Sequence, residues 1–402
     1  MTVKIYLDNP YLKQINATIV DAKFENGKYM VQLDKTIFYP HMCGGQPRDI
    51  GTIDGVKVLD VIKQGDKIIH VLENKIYNKK VNLSIDWHTR FDHMQQHTGE
   101  HILSACFKKL FNENNIGFHL GNNYSYIDIS MHNLTEDAVF KIEQLANEII
   151  YSNIQVKNYI VQKDELKNIP IRKKPIVDKN IRIIEIDGVD CTPCAGTHVR
   201  NTGEIGIIKI RKWENYKGNT RIEFVCGHRA LLDYGQKNHQ TNNISSILSV
   251  KDTECQQGVE KLLSSLNTAS KEITSLKKEL AEYKKEYLLK SYQKHNDIKI
   301  VKHIFDYTEM DFNTLRKISS DIINNNENYV IIFAIKSPDK CQLIIGKSKN
   351  VSINAKNVFN SIVGLINGKG GGNDTIAQGG GTDVSKLDEC IALAELKLKE
   401  IL

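Results

Sequence analysis

The chain has 402 residues, of which 41% are hydrophobic and 25% charged, with a formal net charge of +6 at pH 7. This is typical of a soluble globular protein, and the length predicts two to four domains. No stretch approaches the roughly 18 apolar residues of a membrane span, and the start lacks the apolar core of a signal peptide, so we expect a cytoplasmic protein without membrane contact. Eight scattered cysteines favour reduced thiols and metal ligation over a disulfide framework. The mild positive charge allows a polyanionic partner.

Residues 1 to about 85 are predicted to form a small β-barrel domain. Asn26-Gly27 is a hairpin signal between two of its short alternating segments. The predicted strands occupy residues 17–24, 28–33, 56–62 and 67–72. Several short strands separated by turns are typical of a small barrel.

Residues 86–235 mix helical and strand patterns, which predicts an α+β domain. Apolar spacing indicates a helix from Asp92 to Phe111, and Thr135 followed by acidic residues indicates the start of another. The predicted strands occupy residues 124–129, 205–210 and 220–225.

Residues 236–295 are predicted to be helical because apolar residues recur every seven positions. The first row of this heptad contains Val259, Leu266, Ile273, Leu280 and Tyr287. The second row contains Leu262, Ala269, Leu276 and Tyr283. Such a seam predicts either a helical hairpin packed on residues 236–250 or a dimeric coiled coil, and the sequence does not choose between them.

Residues 296–402 are predicted to form a closing α/β domain. Apolar runs at 329–334 and 342–346 have the length of strands. Seven of the fifteen residues at 367–381 are glycine, which predicts a loop there instead of a regular element. A helix from Val384 to Ile401 is expected to be the last element of the chain.

Two distant segments offer four ligands suited to a metal ion. His97 and His101 lie four residues apart on a predicted helix, so they share one face. Cys194 and His198 have the same spacing. A thiolate with imidazoles suits Zn²⁺ better than Mg²⁺ or Ca²⁺, and so the sequence predicts a zinc site. His93 also lies four residues before His97, but the apolar residues after His101 favour the His97–His101 pair.

Six segments, in the expected order along the chain, resemble motifs of a known family. The segments HTGEH at 97–101, DCTPCAGTHV at 190–199, TGEIGIIKI at 202–210 and TRIEFVCGHRAL at 220–231 resemble the editing domain of alanyl-tRNA synthetases. FYPHMCGGQPRDIG at 38–51 resembles the family motif FYPxxGGQPxDxG, with His41-Met42-Cys43 standing where two residues are usual. GKGGGNDTIAQGGG at 368–381 resembles the signature of the C-terminal domain shared with DHH-family phosphoesterases. The chain is most similar to the long freestanding alanyl-tRNA editing proteins.

The resemblance implies a trans-editing hydrolase that deacylates mischarged tRNA(Ala), with serine the main and glycine a further amino acid removed. It implies zinc ligation by His97, His101, Cys194 and His198. Substrate contacts are expected from Gly44, Gly45, Gln46, Gly196 and Thr197. Gln46 and Thr197 are the candidate pocket residues beside the zinc site, and the catalytic group is not identified. Contacts with tRNA are expected from Lys369, Gly370, Gly371, Gly372 and Gln378. Serine differs from alanine by one hydroxyl, and a site that hydrogen-bonds this hydroxyl can select serine over alanine.

Several alternatives stay open at this point. Four good ligands could hold zinc as a closed structural site, whereas a loosened ligand would leave room for zinc-bound hydroxide. The chain could instead be a non-hydrolytic RNA-binding module with a structural zinc. A homodimer through the helical region or the C-terminal domain is also compatible with the sequence. Cys191 is expected to be a nearby thiol that binds no metal, and His119 and Asp128 are expected to serve packing and hydrogen bonding. The lysines of residues 277–290 are expected to form a solvated helix face.

Overall fold

The computed structural model describes residues 2–25, 27–41, 43–175 and 177–402. They form a mixed α/β fold with several sheets, and the chain divides into two compact units, Met1–Ile247 and Leu248–Leu402. Within the described ranges, no helix combines the length and the apolar character needed to cross a lipid bilayer.

The first unit begins with a closed barrel. Elements up to residue 85 are β1 (Val3–Lys4), α1 (Ile5–Asp8), β2 (Gln14–Glu25), β3 (Lys28–Leu33), β4 (Lys35–Thr36), β5 (Gly51–Ile53), β6 (Val56–Gln64), β7 (Lys67–Leu72) and β8 (Lys80–Ile85). The barrel order is β2-β3-β7-β6-β5-β8, and alternate apolar residues such as Val31, Leu33 and Leu83 fill its interior. Of the predicted Asn26-Gly27 turn, Asn26 lies outside the described residues; Gly27 has a φ of +73°.

The long helix α2 (Trp87–Phe111) forms the centre of the rest of the unit. It begins five residues earlier than predicted because the Asp86 side chain accepts a hydrogen bond from the Thr89 amide at 2.7 Å and caps the helix. It ends at Asn112, which has a left-handed φ of +58°. Almost every side chain from His93 to Phe107 is buried, so polar groups on this helix lie inside the protein.

Two antiparallel sheets and a second helix surround α2. These elements are β9 (Asn115–Leu120), β10 (Ser125–Ile129), α3 (Glu136–Tyr151), β11 (Val156–Val161), β12 (Ile181–Ile186), β13 (Asp190–Pro193), β14 (Ile208–Tyr216) and β15 (Asn219–Cys226). One sheet has the order β14-β15-β10-β9 and the other β11-β12-β13. The predicted start of α3 is confirmed, since the Thr135 hydroxyl accepts a hydrogen bond from the Ala138 amide at 3.3 Å.

The heptad residues lie on one continuous helix. Helix α4 (Gly227–Leu248) ends the first unit, and α5 (Cys255–Lys290) opens the second. The large apolar side chains of the seam are between 42% and 64% exposed, at Val259, Leu262, Leu266, Ile273, Leu276, Leu280, Tyr283 and Tyr287. The stretch is helical as predicted, while the hairpin and the dimeric coil both stay predictions.

The second unit is a sheet covered on both faces by helices. Its elements after α5 are β16 (Gln293–His295), β17 (Ile298–Asp306), α6 (Phe312–Asn325), β18 (Tyr329–Lys336), β19 (Cys341–Lys347), α7 (Ala355–Ile362), β20 (Lys369–Gly372), β21 (Ile376–Gly381) and α8 (Leu387–Ile401). The strand order is β16-β17-β18-β19-β21-β20. Helix α6 covers the face that includes Ile331 and Phe333, and α7 with α8 covers the opposite face.

The prediction of a loop at residues 367–381 is wrong, because most of this segment forms the antiparallel pair β20 and β21. Glycine is required there by close packing and not by turning. A Cβ added to Gly370 or Gly379 would lie 2.7 Å from Cζ of Phe359 on α7. The helix therefore packs directly against the strand backbone, which only glycine allows.

Candidate metal centre

Four side chains from two distant segments meet inside the first unit. Helix α2 supplies His97 and His101, and the loop after β13 supplies Cys194 and His198. One ligand atom from each residue lies within 4.8 Å of the others. The three histidines are buried and Cys194 is half-buried. The structure therefore brings together the four predicted metal ligands.

The loop approaches α2 closely because it carries a glycine at the point of contact. A Cβ on Gly196 would overlap the His97 ring. The Arg182 guanidinium, on β12, donates hydrogen bonds to the carbonyls of Cys194 and Gly196, both at 2.9 Å. Arg182 therefore fixes the backbone that carries the Cys194 thiol.

Each histidine of the cluster has a partner on its Nδ1 atom. His97 Nδ1 lies 3.0 Å from Oε1 of Gln46, His101 Nδ1 lies 2.9 Å from Oδ2 of Asp190, and His198 Nδ1 lies 3.2 Å from the Thr98 hydroxyl.

The Nε2 atoms of His97 and His198 lie 3.4 and 3.3 Å from the Cys194 sulfur. Partners on Nδ1 orient imidazole rings so that Nε2 faces a metal, and one thiolate with three imidazoles is a donor set that Zn²⁺ accepts. The residues fit a zinc ion.

The electrostatics of the cluster favour an ionised thiol. Burial opposes ionisation, but His97 and His198 outweigh it and hold the pKa of Cys194 well below its usual value. Burial also lowers the pKa of His198 to about 3. For His101 burial acts in the same direction, yet the hydrogen bond that its ring donates to Asp190 prevails and raises its pKa to about 10. Metal binding would release that proton, because a ligating nitrogen must be unprotonated.

Gln46 connects the barrel to the metal cluster. Its Nε2 donates to the Thr197 hydroxyl at 2.9 Å, and its Oε1 accepts from the Thr197 amide at 3.1 Å. Both side chains are fully buried. The structure thus brings together two predicted site residues, and it commits their polar atoms to one another and to His97.

The two glycines before Gln46 form a tight turn beside the cluster. Gly44 and Gly45 have φ values of +66° and +80°, which match a type I′ hairpin turn, and Cys43 pairs with Gln46 across it. Of the three residues His41-Met42-Cys43 that depart from the family motif, Met42 lies outside the described residues.

A cavity of about 660 Å³ opens next to the cluster. Gly44, Gly45 and Phe118 form part of its wall, and His97, His101 and Cys194 of the cluster line it. Its size lies within the range of small-ligand sites.

Sequence reasoning missed several residues of this site. Glu100 lines the cavity, and Asp190 binds His101. Arg172 donates to Asp190 at 2.6 Å. Two sequence signals pointed to them: Glu100 is the acidic residue of HTGEH, and Asp190 is the first residue of DCTPCAGTHV. Arg172 carried no signal, and nothing local indicates which acid will contact which histidine.

Other cysteines and histidines near the motifs lie away from the cluster. Cys191 packs in an apolar group with Val161, Ile181 and Ile183, and burial raises the pKa of its thiol. His119 stacks on Tyr126 with ring centroids 5.0 Å apart.

The residues predicted to contact tRNA lie in the second unit. Lys369, Gly370, Gly371 and Gly372 form the exposed strand β20, and Gln378 lies opposite Gly371 on β21. Strand β20 is the last in the sheet order.

Two family models match the chain. The model described as the threonyl and alanyl tRNA synthetase second additional domain matches residues 181–223, and the DHHA1 domain model matches residues 299–400. The first covers β12 to β15 and the loop that carries Cys194 and His198.

Relatives match along much greater lengths. The chain is 32% identical to the alanyl-tRNA editing protein AlaX-L of Pyrococcus horikoshii, over 94% of each chain. It is 33% identical to the alanyl-tRNA editing protein Aarsd1-B of Xenopus laevis, over 64% of this chain and 66% of that one. It is also 31% identical to the alanine–tRNA ligase of Methanobrevibacter smithii, over 95% of this chain but only 44% of the ligase. The match to AlaX-L extends along nearly the whole of both chains, and the protein belongs to the family of alanyl-tRNA editing proteins.

Proposed function

We propose that this protein hydrolyses the ester bond of mischarged tRNA(Ala), with Ser-tRNA(Ala) as the main substrate and Gly-tRNA(Ala) as a further one. The observation that carries this proposal is the cluster of His97, His101, Cys194 and His198 beside a cavity. It occurs in a chain that is similar to AlaX-L along 94% of its length. The products would be the free amino acid and tRNA with a free 3′ end.

Zinc is the proposed cofactor, held by the four residues of the cluster. When bound, it would supply a fixed positive charge beside the ester. The four residues would fill the coordination shell of the ion, as protein ligands do in structural zinc sites. This favours an ion that shapes the pocket and positions the substrate end.

The proposed recognition of serine depends on the turn at Gly44 and Gly45. These residues line the cavity, whereas Gln46 and Thr197 are buried behind them and bound to each other. We therefore assign the contact with the serine hydroxyl to the backbone of the glycine turn, and the support of that turn to Gln46 and Thr197. Gly196 allows the metal loop to reach His97.

The second unit is the proposed site for the body of the tRNA. Lys369 and the glycines of β20 are exposed, and an edge strand without bulky side chains lets a polyanionic backbone approach closely. We divide the chain into a barrel domain at 1–85, an editing domain at 86–235, a helical region at 236–295 and a C-terminal domain at 296–402. The exposed apolar seam on α5 supports the further proposal of a homodimer.

Deacylation assays with tRNA(Ala) carrying serine, glycine or alanine, run in parallel, test the function. We expect release of serine, slower release of glycine, and alanine left in place. If tRNA binds but no amino acid is released at micromolar protein, the chain is instead a non-hydrolytic RNA-binding module. Truncation after Ile247, at the boundary of the two units, should weaken tRNA binding and leave zinc content unchanged.

A further inference from the structure

The Glu100 carboxylate is held in one orientation at the edge of the metal cluster. It lies on the same face of α2 as His97 and His101, three residues after one and next to the other. Its Oε1 accepts hydrogen bonds from the Ser104 hydroxyl and from Nδ2 of Asn115, both at 2.6 Å. Two donors on one oxygen turn the other oxygen, Oε2, towards the cluster.

The second oxygen is left to face the cavity. Oε2 lies 3.8 Å from Nε2 of His101, which is too long for a hydrogen bond. Among the described residues no donor is recorded on this oxygen, and the Glu100 side chain lines the cavity. His101 gives this oxygen an ion-pair contact but no hydrogen bond. A carboxylate oxygen in a largely buried wall also needs a hydrogen-bond donor, and the cavity is where that donor can lie.

Charge is distributed unevenly along the cavity wall. Glu100 is the one carboxylate among the described lining residues, whereas Arg172, Lys173, Lys174 and Arg182 are all cationic. Arg172 is paired with Asp190, and Arg182 is bound to backbone carbonyls. Lys173 and Lys174 are exposed and have no recorded ion pair in the described chain. The wall is therefore negative beside the metal cluster and positive at the exposed lysines.

This polarity matches an aminoacyl nucleotide, which carries an ammonium group at one end and phosphates at the other. We infer that Glu100 Oε2 binds the α-ammonium of the aminoacyl group, while Lys173 and Lys174 face the phosphate of the tRNA 3′ terminus. The inference rests on the proposed function and adds a specificity rule. The enzyme requires a free α-amine, and it rejects N-acylated aminoacyl-tRNA because acylation removes the charge that Glu100 recognises.

The test compares two substrates, Ser-tRNA(Ala) and N-acetyl-Ser-tRNA(Ala), on the full-length zinc-loaded protein. Wild type should prefer the free amine by roughly 10- to 100-fold in kcat/KM, the range expected for a hydrogen bond to a charged group. Glu100→Gln retains an oxygen that accepts from Ser104 and Asn115, but it removes the charge and replaces Oε2 by an NH2 group that cannot accept from an ammonium. It should lose activity on the free amine, mainly through KM, and keep that on the acetylated substrate.

Ser104→Ala is the matched control, because it removes a hydrogen bond to Oε1 and leaves the charge in place. It should preserve the ratio between the two substrates, even if both rates fall. Zinc content is measured for each variant, since Glu100 adjoins a ligand. Equal loss on both substrates in Glu100→Gln, or no preference in wild type, would overturn the inference while leaving the editing activity intact. Hydrolysis of neither substrate by wild type would overturn the proposed function and this inference with it.

Discussion

His101 Nδ1 lies 2.9 Å from Oδ2 of Asp190, although 89 residues separate the two along the chain. Asp190 also accepts from Arg172 Nε at 2.6 Å and from the Thr192 hydroxyl at 3.1 Å. Three hydrogen bonds thus hold the Asp190 carboxylate in place, and the carboxylate in turn orients the His101 ring. An orienting acid of this kind determines which ring nitrogen points at a metal.

Asp190→Asn should therefore weaken zinc binding by roughly 10- to 100-fold, because the amide cannot supply the charge that orients and polarises His101. Competition with a chelator of known affinity measures the effect. The matched control is Asp187→Asn, since Asp187 is exposed and should leave zinc affinity unchanged. Equal affinities for the Asp190 variant and wild type would contradict a role for this carboxylate at the metal.

Cys194→Ala should lower zinc content and abolish deacylation, because it removes the only anionic ligand of the four-residue cluster. Elemental analysis and the serine-release assay measure the two effects on the same preparation. Cys191→Ala is the control: this thiol packs among apolar side chains three residues away and should retain zinc. Full activity in a metal-free Cys194 variant would refute the proposed site.

The burial of His70 in the barrel predicts that the folded protein loses stability in acid. Burial lowers its pKa from 6.5 to about 4, and its Nε2 lies 2.8 Å from the Thr36 hydroxyl. Between those two pH values the unfolded chain binds the proton more readily than the folded one. The contribution of neutral His70 is therefore complete above pH 6.5 and is lost as the pH falls towards 4, by about 3 kcal/mol in total.

His70→Gln removes this titration and can retain the hydrogen bond to Thr36. The free energy of unfolding, measured by denaturant between pH 7 and pH 4, should fall less steeply in the variant than in wild type. Parallel curves for the two proteins would show that His70 does not titrate between its unfolded and folded pKa values as expected.

Alanine substitutions at two neighbouring glycines of β20 should have different effects on stability. Gly370→Ala would place a methyl group 2.7 Å from Cζ of Phe359 and should destabilise the second unit by about 1–3 kcal/mol, the usual cost of overpacking. Gly371→Ala meets nothing within 4 Å and should be nearly neutral. Thermal unfolding of the two full-length variants measures the difference, and equal stability would mean that α7 does not pack on this strand as described.

The failed loop prediction at residues 367–381 has a clear physical origin. Glycine is common in loops because it adopts positive φ values, and that statistical reason led to the wrong element. Here Gly370 and Gly379 are needed because Phe359 occupies the space that side chains would fill. Helix α7 carries Phe359 into that space, and no sequence pattern near the glycines indicates where α7 will pack.

Several helices and strands could be predicted from the sequence because their signals lie within a few residues of the element. The strands at 329–334 and 342–346, and the start of α3 at Thr135, depend on apolar runs and a capping hydroxyl within a few residues. Helix α2 was predicted with its start too late, because the cap at Asp86 precedes the apolar pattern.

The sequence by itself indicated the family and the four residues that the structure brings together in one cluster. Spacing of four residues places His97 with His101 on any helix, and that geometry is local. Only the tertiary structure decided what surrounds them. It placed Asp190 beside His101, joined Gln46 to Thr197 by hydrogen bonds, and placed Glu100 as the one carboxylate among the described residues of the cavity wall. These contacts join residues far apart in the chain, and their partners are fixed by packing, which spacing does not encode.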